Sequence, residues 1–404
     1  MAGNNEAIRR EVTATFLQIL GNNCVLPRFI KRDYQKYFEG KVKIGSSLDI
    51  KRPLRTIGAD GQAFQPEGLV RVTVPMTISY WNQESFVYND TEQAMFLNDD
   101  MKENYIKPKA INLANKVDRY MMQYIQATTP NFVGTPGTVP TTLQTYNSAR
   151  TKLNQLLAPD SDRVVVWNSA FEQNIIGAGS TLFNPNDVIG KQYLSGKVGR
   201  YAGFDFMRDE QTPSFTVGTY AGAGVVNGAN QTGTQVVTNG WTAASLSLNV
   251  GDRVTFAGCY EINGQSRLVL PGVLKQFVIT APVVDAAGAA TLSIFPAIIP
   301  SGPYQNCSAS PTNGGAVTVA GASGAQAQTA FALQQGAYTW AAIRLQDVSE
   351  YGANCTVMTD EDTGISIRCT QQWDNRLAEV TYRMDFVYGI AQTYSDYESC
   401  VIYG

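Results

Sequence analysis

The sequence contains no histidine in 404 residues. That removes the Ser-His-Asp triad, the Cys-His pair, imidazole metal ligation and the usual side-chain switch near neutral pH. General acid–base chemistry loses its commonest residue, which moves a binding or structural role forward. Charge is also sparse: Asp, Glu, Lys and Arg make up 16 % of the chain, against a usual ~25 %. A net charge of −3 builds no global positive field for gripping nucleic acid. A largely disordered chain is excluded as well, since 44 % of the residues are hydrophobic and the net charge is small.

No C-x-x-C pair occurs among the six cysteines, Cys24, Cys259, Cys307, Cys355, Cys369 and Cys400, so no zinc knuckle or thioredoxin-like site is indicated. Their scatter fits buried small apolar residues, and a disulfide framework lacks the secretory context it needs. The opening MAGNNEAIRREV has no apolar signal-peptide core, and no run approaches the ~18 apolar residues of a membrane span. The expectation is a soluble product of a reducing cytoplasm. No Walker pattern and no G-x-G-x-x-G joining a strand to a helix is present. The carboxylates of TDEDTG at 359–364 lack the ligand spacing of a calcium loop and read as a polar turn. Asp99 and Asp100 read as helix-start residues. No nucleophile has a plausible base, so neither catalysis nor a cofactor or metal is expected.

What is present suggests two or three domains. Residues 4–20 place Ile8, Val12, Phe16, Ile19 and Leu20 on one helical face, with Asn4 or Asn5 as cap and Gly21 as stop. This helix either docks on its own core or lies as an arm on a neighbouring subunit. KVKIGSSLDIKRPL and LVRVTVPMTISY alternate in polarity around the turn-rich RTIGADGQAFQPEG, which predicts a long hairpin with a glycine-rich tip at 58–61. Pro53 and Pro75 mark its strands as edges. Such a hairpin is unstable alone and must lie on something.

Residues 28–55 carry Arg28, Lys31, Arg32, Lys36, Lys41, Lys43, Lys51, Arg52 and Arg55 against Asp33, Glu39 and Asp49, a net +6. Three readings stand: a solvated basic face, a loop docking on an acidic partner surface, or non-specific nucleic-acid contact. Tyr34, Tyr37 and Phe38 read as packing anchors rather than base-stacking platforms. Residues 347–400 have the opposite sign, a net −7. The two regions meet either within one subunit or across an interface, where they would set orientation more than affinity.

Asn98 and Pro108 open the strongest helix, reaching residue 127, with Ala110, Ala114, Val117, Met121, Tyr124 and Ile125 as its apolar stripe. An α/β region follows: a helix at 141–157, the buried strand RVVVW, and a helix capped by Asn168 or Ser169. KVGRYAGFDFMRDEQTP reads as a glycine-punctuated strand ending at Pro213. Between 211 and 320 only Asp252, Arg253, Glu261, Arg267, Lys275 and Asp285 are charged, and GDRVTFAG, KQFVITA, ATLSIFPAI and AVTVAG alternate like short strands. That composition indicates an all-β barrel or sandwich, flanked by the flexible connections TPSFTVGTYAGAGVVNGANQTG and GASGAQAQT. Asn227-Gly228, Asn239-Gly240, Asn263-Gly264 and Asn313-Gly314 read as turns. TAFALQQGAYTWAAIRLQDV predicts a helix; GISIRCTQQWD, LAEVTYRMDFVYGIAQTY and SCVIYG predict strands. The division expected is an N-terminal helical arm at 1–27, an extended hairpin loop at 28–80, a discontinuous core at 81–213 and 326–404, and an inserted all-β domain at 214–325. The fold class is α+β.

This order of parts resembles the major capsid (coat) protein of tailed bacteriophages, in the podovirus-type group with an inserted β domain. The resemblance covers most of the chain. KVGRYAGFDFMRDEQTP at 197–213 is similar to the strand before the insert, and GDRVTFAGCYEIN at 251–263 to its first strand pair. GISIRCTQQWDNRLAEVTYRMDFVYGIAQTY at 364–394 resembles the closing strands, with Arg383, Asp385, Tyr388 and Gly389 in an R-x-D-x-x-Y-G arrangement.

The resemblance implies a Hong Kong 97-like fold with a spine helix at 108–127 and a loop that lies over the adjacent subunit. It gives the charged patches a use: Lys41, Lys43, Lys51, Arg52 and Arg55 would meet Asp360, Glu361 and Asp362 between subunits. It further implies self-assembly into an icosahedral shell around packaged double-stranded DNA. The partners would be copies of the chain, a scaffolding protein, a portal protein and DNA held non-specifically on the inner face, with no membrane. The chain would be assembled in the bacterial host cytoplasm and reside in the virion. Some such shells cross-link a Lys to an Asn; no matching pair is assigned. Other structural roles remain open at this point, namely nanocompartment shell, decoration or tail-tube subunit, as does an enzyme with a carboxylate mechanism.

Overall fold

The structure, a computed structural model, describes residues 2–39, 47–52, 71–89, 102–179, 200–361 and 363–404. It divides into two compact units. The first comprises Met1–Ile50, Thr73–Met121 and Tyr338–Ala391, the second Lys51–Val72, Met122–Ala337 and Gln392–Gly404.

The first unit is organised on a sheet in the order Tyr338–Ala342, Glu379–Gln392, Ser366–Asp374, Asn354–Thr359, with Tyr80–Asn89 also paired to Glu379–Gln392. That last pairing is antiparallel and unbroken from Tyr80↔Tyr388 to Asn89↔Glu379. Period-two alternation buries Asn82, Glu84 and Phe86 while Trp81, Gln83, Ser85 and Val87 stay exposed. The N-terminal helix Ala2–Asn23 packs on the Asn354–Thr359 and Ser366–Asp374 strands, burying Val12, Phe16, Leu17 and Leu20. The long helix Lys107–Thr128 follows a π-helical turn at Lys102–Ile106 and buries Ala110, Leu113, Ala114, Val117 and Met121. Its Asp118 carboxylate accepts the amides of Val25 (2.9 Å) and Leu26 (3.1 Å), satisfying donors at the start of the short helix Leu26–Phe29.

The expected hairpin at 28–80 falls partly outside the described residues. Among the described residues, Leu26–Phe29 and Gln35–Glu39 are helical, and Ser47–Lys51 and Thr73–Thr77 form a two-stranded sheet. Ile50 and Met76 bury together with Ala341 and Ala391, and Tyr34 and Phe38 pack against them, as anchors should. Pro75 lies in a two-stranded sheet, where each strand has an edge without a partner strand among the described residues. The tip at 58–61, Pro53, Asn98, Asp99 and Asp100 lie outside the described residues.

In the second unit, a sheet runs Phe132–Val133, Ser399–Tyr403, Gln326–Gln334, Arg163–Trp167, Phe204–Arg208, Arg200–Tyr201. Helix Gln144–Gln155 contributes Tyr146, Ala149 and Leu153 to its core, and helix Ser169–Gly179 contributes Phe171 and Ile175. Asn168 caps the latter through its Oδ1, which accepts the Phe171 amide at 3.3 Å. Six further antiparallel strands follow the order Val317–Val319, Arg253–Ile262, Val269–Ile279, Ala290–Ile298, Gly233–Trp241, Gly222–Val226. Their end strands meet through a Val225↔Ala316 bridge and a Val226 N to Gly315 O bond of 2.9 Å, so the sheet closes on itself.

Four local expectations are corrected. TAFALQQGAYTWAAIRLQDV is no helix: it holds the strands Gln326–Gln334 and Tyr338–Ala342. Tyr338–Ala342 and the last six residues of Gln326–Gln334 are fully buried, and a strand covered on both faces shows a continuous apolar run that period analysis cannot separate from a buried helix. The supposed flexible connections are paired strands, Ser214–Thr216 with Gln326–Gln328 and Gly222–Val226 with the following strand. Asn239-Gly240 is a bulge inside Gly233–Trp241, where the register shifts and Gly240 takes φ 78°. KVGRYAGFDFMRDEQTP contains a tight hairpin, Arg200–Tyr201 against Phe204–Arg208. Ala202 (φ 51°) and Gly203 (φ 80°) supply the two positive φ values its two-residue turn requires.

Candidate assembly surface

The basic residues at the hairpin divide sharply by role. Arg52 follows the strand Ser47–Lys51, and its amide donates to Val72 O at 3.0 Å. Its guanidinium makes a bidentate pair with Asp396, Nη2 to Oδ1 at 2.8 Å and Nη1 to Oδ2 at 3.3 Å. Nε donates to the Thr393 carbonyl at 2.8 Å, and the group lies 5.6 Å from the Tyr394 ring centre. Asp396 is held in turn: its carbonyl accepts Asn131 Nδ2 at 3.1 Å. Arg52 is thus committed within its own chain, whereas Lys51 beside it is exposed. Lys41, Lys43 and Arg55 lie outside the described residues.

Asp360 and Glu361 occupy the turn between Asn354–Thr359 and Ser366–Asp374. The turn is closed by Asp360 N to Ile365 O (2.9 Å) and Gly364 N to Asp360 O (2.8 Å). Thr363 Oγ1 donates to the Asp360 carboxylate. Gly364 adopts φ 72°, and a Cβ there would stand 2.3 Å from Arg32 Nη1 and 2.6 Å from Gln35 Oε1. Gln35 Nε2 donates to Gly364 O at 2.9 Å, and Arg32 Nη1 to Glu361 O at 3.5 Å. Glu361 is exposed, and Asp362 lies outside the described residues. Lys51 and Arg52 belong to the second unit, Asp360 and Glu361 to the first. At both places the basic stretch and the acidic region meet inside one chain.

Two further charge groups were visible in the sequence as residues but not as partners. In the first unit Asp385, 1 % exposed, accepts Arg383 Nε (2.8 Å), Arg368 Nη2 (2.9 Å) and Trp81 Nε1 (3.1 Å). Burial pushes its carboxyl up, but these three donors outweigh it and hold it below 3.8. In the second unit Glu261 bridges two lysines, Lys275 at 2.7 Å and Lys152 at 3.3 Å, all three buried. Desolvation holds Lys152 down; at Lys275 it acts the same way, but the attraction of Glu261 and Tyr397 prevails and the ammonium is favoured. Beside them Arg253 donates to Gln126 O (2.8 Å), Gly251 O (2.8 Å) and Thr129 O (3.2 Å), and to Tyr403 Oη. Asp252, Arg253, Glu261 and Lys275 are all buried, four of the six charges between 211 and 320. The available signal was their isolation: a charge retained in an otherwise apolar, alternating stretch has a partner.

These groups are anchors, and exposed Lys51 and Glu361 sit beside anchored neighbours. A family model described as P22 coat protein, gene protein 5, matches residues 1–396. The chain belongs to the P22 coat protein family. It is a major capsid protein, a virion component that assembles from many copies of itself. Among solved structures it is similar to one from Mycobacterium phage Che8, at 11 % identity and TM-score 0.50, covering 94 % of this chain and 90 % of that one. It is also similar to one described as the capsid of the cyanophage P-SCSP1u, at 11 % identity and TM-score 0.45, covering 93 % and 86 %. A virus-like particle from Pyrococcus furiosus gives 8 % identity and TM-score 0.39, covering 97 % and 98 %. No curated protein sequence matches the chain. The coat protein has the phage capsid fold, mixed in α and β content and mostly β. None of its described helices is long and apolar enough to cross a membrane.

Proposed function

We propose that this coat protein builds an icosahedral shell around packaged double-stranded DNA, with no catalytic role. The observation that carries the reading is the family match over residues 1–396. Arg52 N bonds Val72 O at the base of the proposed loop, and exposed Lys51, with Lys41, Lys43 and Arg55, meets exposed Glu361, with Asp362, on a neighbouring copy. The intrachain bonds of Arg52 and Asp360 support a division of labour, in which these two fix the geometry and their neighbours make the contact. Repetition of one patch over a closed surface lets weak contacts add up to a rigid wall.

Residues 214–325 act as an inserted domain on a core formed by 81–213 and 326–404, with 1–27 as a helical arm docked on its own chain's strands. Support comes from the chain path: the incoming strand Ser214–Thr216 and the outgoing strand Gln326–Gln334 pair with each other, at Phe215↔Ala327. A scaffolding protein and a portal protein are the expected assembly partners in the host cytoplasm, and the inner face touches DNA without reading sequence. Nuclease treatment of purified particles, followed by extraction, tests the reading. Protected double-stranded DNA with this chain as the dominant protein supports it; particles without nucleic acid, or tubes, refute it.

A further inference from the structure

On the helix Lys107–Thr128, a face turned away from the buried stripe carries a pattern of its own. Lys109, Asn112, Lys116 and Arg119 follow one another at spacings of three, four and three, which sets them in a row along one side. The row spans about 15 Å, given the rise of an α-helix. Asn112 and Arg119 are exposed, and the side chains of Lys109 and Lys116 are each 42 % exposed. The one acid between Lys107 and Met121 is Asp118, which is buried on the amides of Val25 and Leu26.

A buried carboxylate organises this row. Glu84 belongs to the strand Tyr80–Asn89 and is 6 % exposed. Its Oε1 accepts Asn112 Nδ2 at 2.6 Å and also Lys116 Nζ, and its Oε2 faces Lys109 Nζ at 3.6 Å. Among the described residues Arg119 pairs with no carboxylate; its guanidinium lies 6.0 Å from the Tyr120 ring centre. Three cations against one carboxylate leave a net +2 along the row. A protein partner would need an apolar centre to bury, and lysine is depleted from such centres. The row has no apolar centre. A phosphate backbone needs what the row has, cations and amide donors set along a rod with no base edge to match.

We infer that Lys109, Asn112, Lys116 and Arg119 form a phosphate-binding row for double-stranded DNA, and that this face of the helix is the one turned to the packaged genome. The inference rests on the DNA-enclosing reading proposed above. Lys109, Lys116 and Arg119 each neutralise one phosphate and release its condensed counterions. The second Nδ2 hydrogen of Asn112 donates to a phosphate oxygen. Glu84 is a positioning residue: its burial keeps it off the phosphates while its oxygens fix three of the four donors.

The test titrates the full-length chain, dissociated from particles and monomeric by sedimentation, with a short mixed-sequence duplex over a salt series. Three phosphate contacts give a log–log slope of roughly −2.7, so affinity should fall about 40-fold between about 50 and 200 mM salt. Arg119→Gln and Lys109→Gln should each bring the slope to roughly −1.8 and the fall to about 12-fold. Arg208→Gln, at an exposed arginine of the second unit, should leave both values at the parent level. A duplex of unrelated sequence should bind equally well. Acetylation of Lys109 and Lys116, mapped by mass spectrometry, should slow when the duplex is bound. The inference is overturned by a parent chain that does not bind, by two variants that keep the parent slope, by strong preference for one sequence, or by lysines as reactive with DNA as without it. The titration needs no shell, so its failure beside particles that protect DNA removes the row and leaves the shell reading intact. Particles empty of nucleic acid refute that reading whatever the titration gives.

Discussion

Arg52 holds Asp396 through two parallel hydrogen bonds, at 2.8 and 3.3 Å, with the arginine side chain 15 % exposed and the carboxylate 5 %. The pair fastens the chain at Arg52 to the short helix Ser395–Glu398. Arg52→Ala leaves a buried carboxylate without its fork, which should cost about 3 kcal/mol in urea unfolding of the subunit. Arg52→Lys should recover little of this, because an ammonium cannot reproduce the bidentate geometry. Equal stability of all three proteins would show that the pair is not an anchor.

Lys51 gives the complementary result. It is exposed, so Lys51→Glu should leave urea unfolding within about 0.5 kcal/mol of the parent. The yield of assembled particles in sedimentation should fall, and fall further in Lys51→Glu with Lys43→Glu. Restoration by Glu361→Lys on the same chain would tie the two patches together. An unchanged particle yield would remove this residue from the interface.

The cluster at Asp385 predicts a pH dependence. Its carboxyl is held below 3.8, so its stabilisation is fully present above that pH and is lost as pH falls through the lower, folded value. Asp385→Asn should therefore be less stable by about 2 kcal/mol at pH 7, below the fully buried case because Arg383 is half exposed. The difference from the parent should shrink below pH 3.8. A gap that is constant from pH 7 to pH 2.5 in thermal melts would contradict the ion-pair account.

Gly389 passes close to the chain at residues 77–78. A Cβ on it would stand 2.4 Å from Thr77 O and 3.0 Å from Ile78 Cα. Gly389→Ala should destabilise by about 2–3 kcal/mol, since the backbone it meets must shift. Wild-type stability of Gly389→Ala would refute the close approach.

The R-x-D-x-x-Y-G arrangement shows how far the sequence could be read. Arg383 and Asp385 pair, Tyr388 stacks on Tyr80 at 5.2 Å, and Gly389 admits a neighbouring backbone. The order of those residues was visible; the partners were not, because Trp81, Arg368 and Tyr80 come from strands that only the fold brings alongside. The amphipathic helices were legible, since the stripe from Ala110 to Ile125 has one buried face. The strands around Phe331 and Trp340 were not, because burial on both sides erases the period that distinguishes strand from helix. Arg52 was legible as a charge and illegible as an anchor: its partner is 344 residues away.

The most direct test of the central claim is electron microscopy with image reconstruction of particles purified from a culture that produces this chain at full length. The account predicts closed shells of icosahedral symmetry whose wall density is filled by copies of this chain. Persistent monomers, open tubes, or shells from which this chain is absent would contradict it.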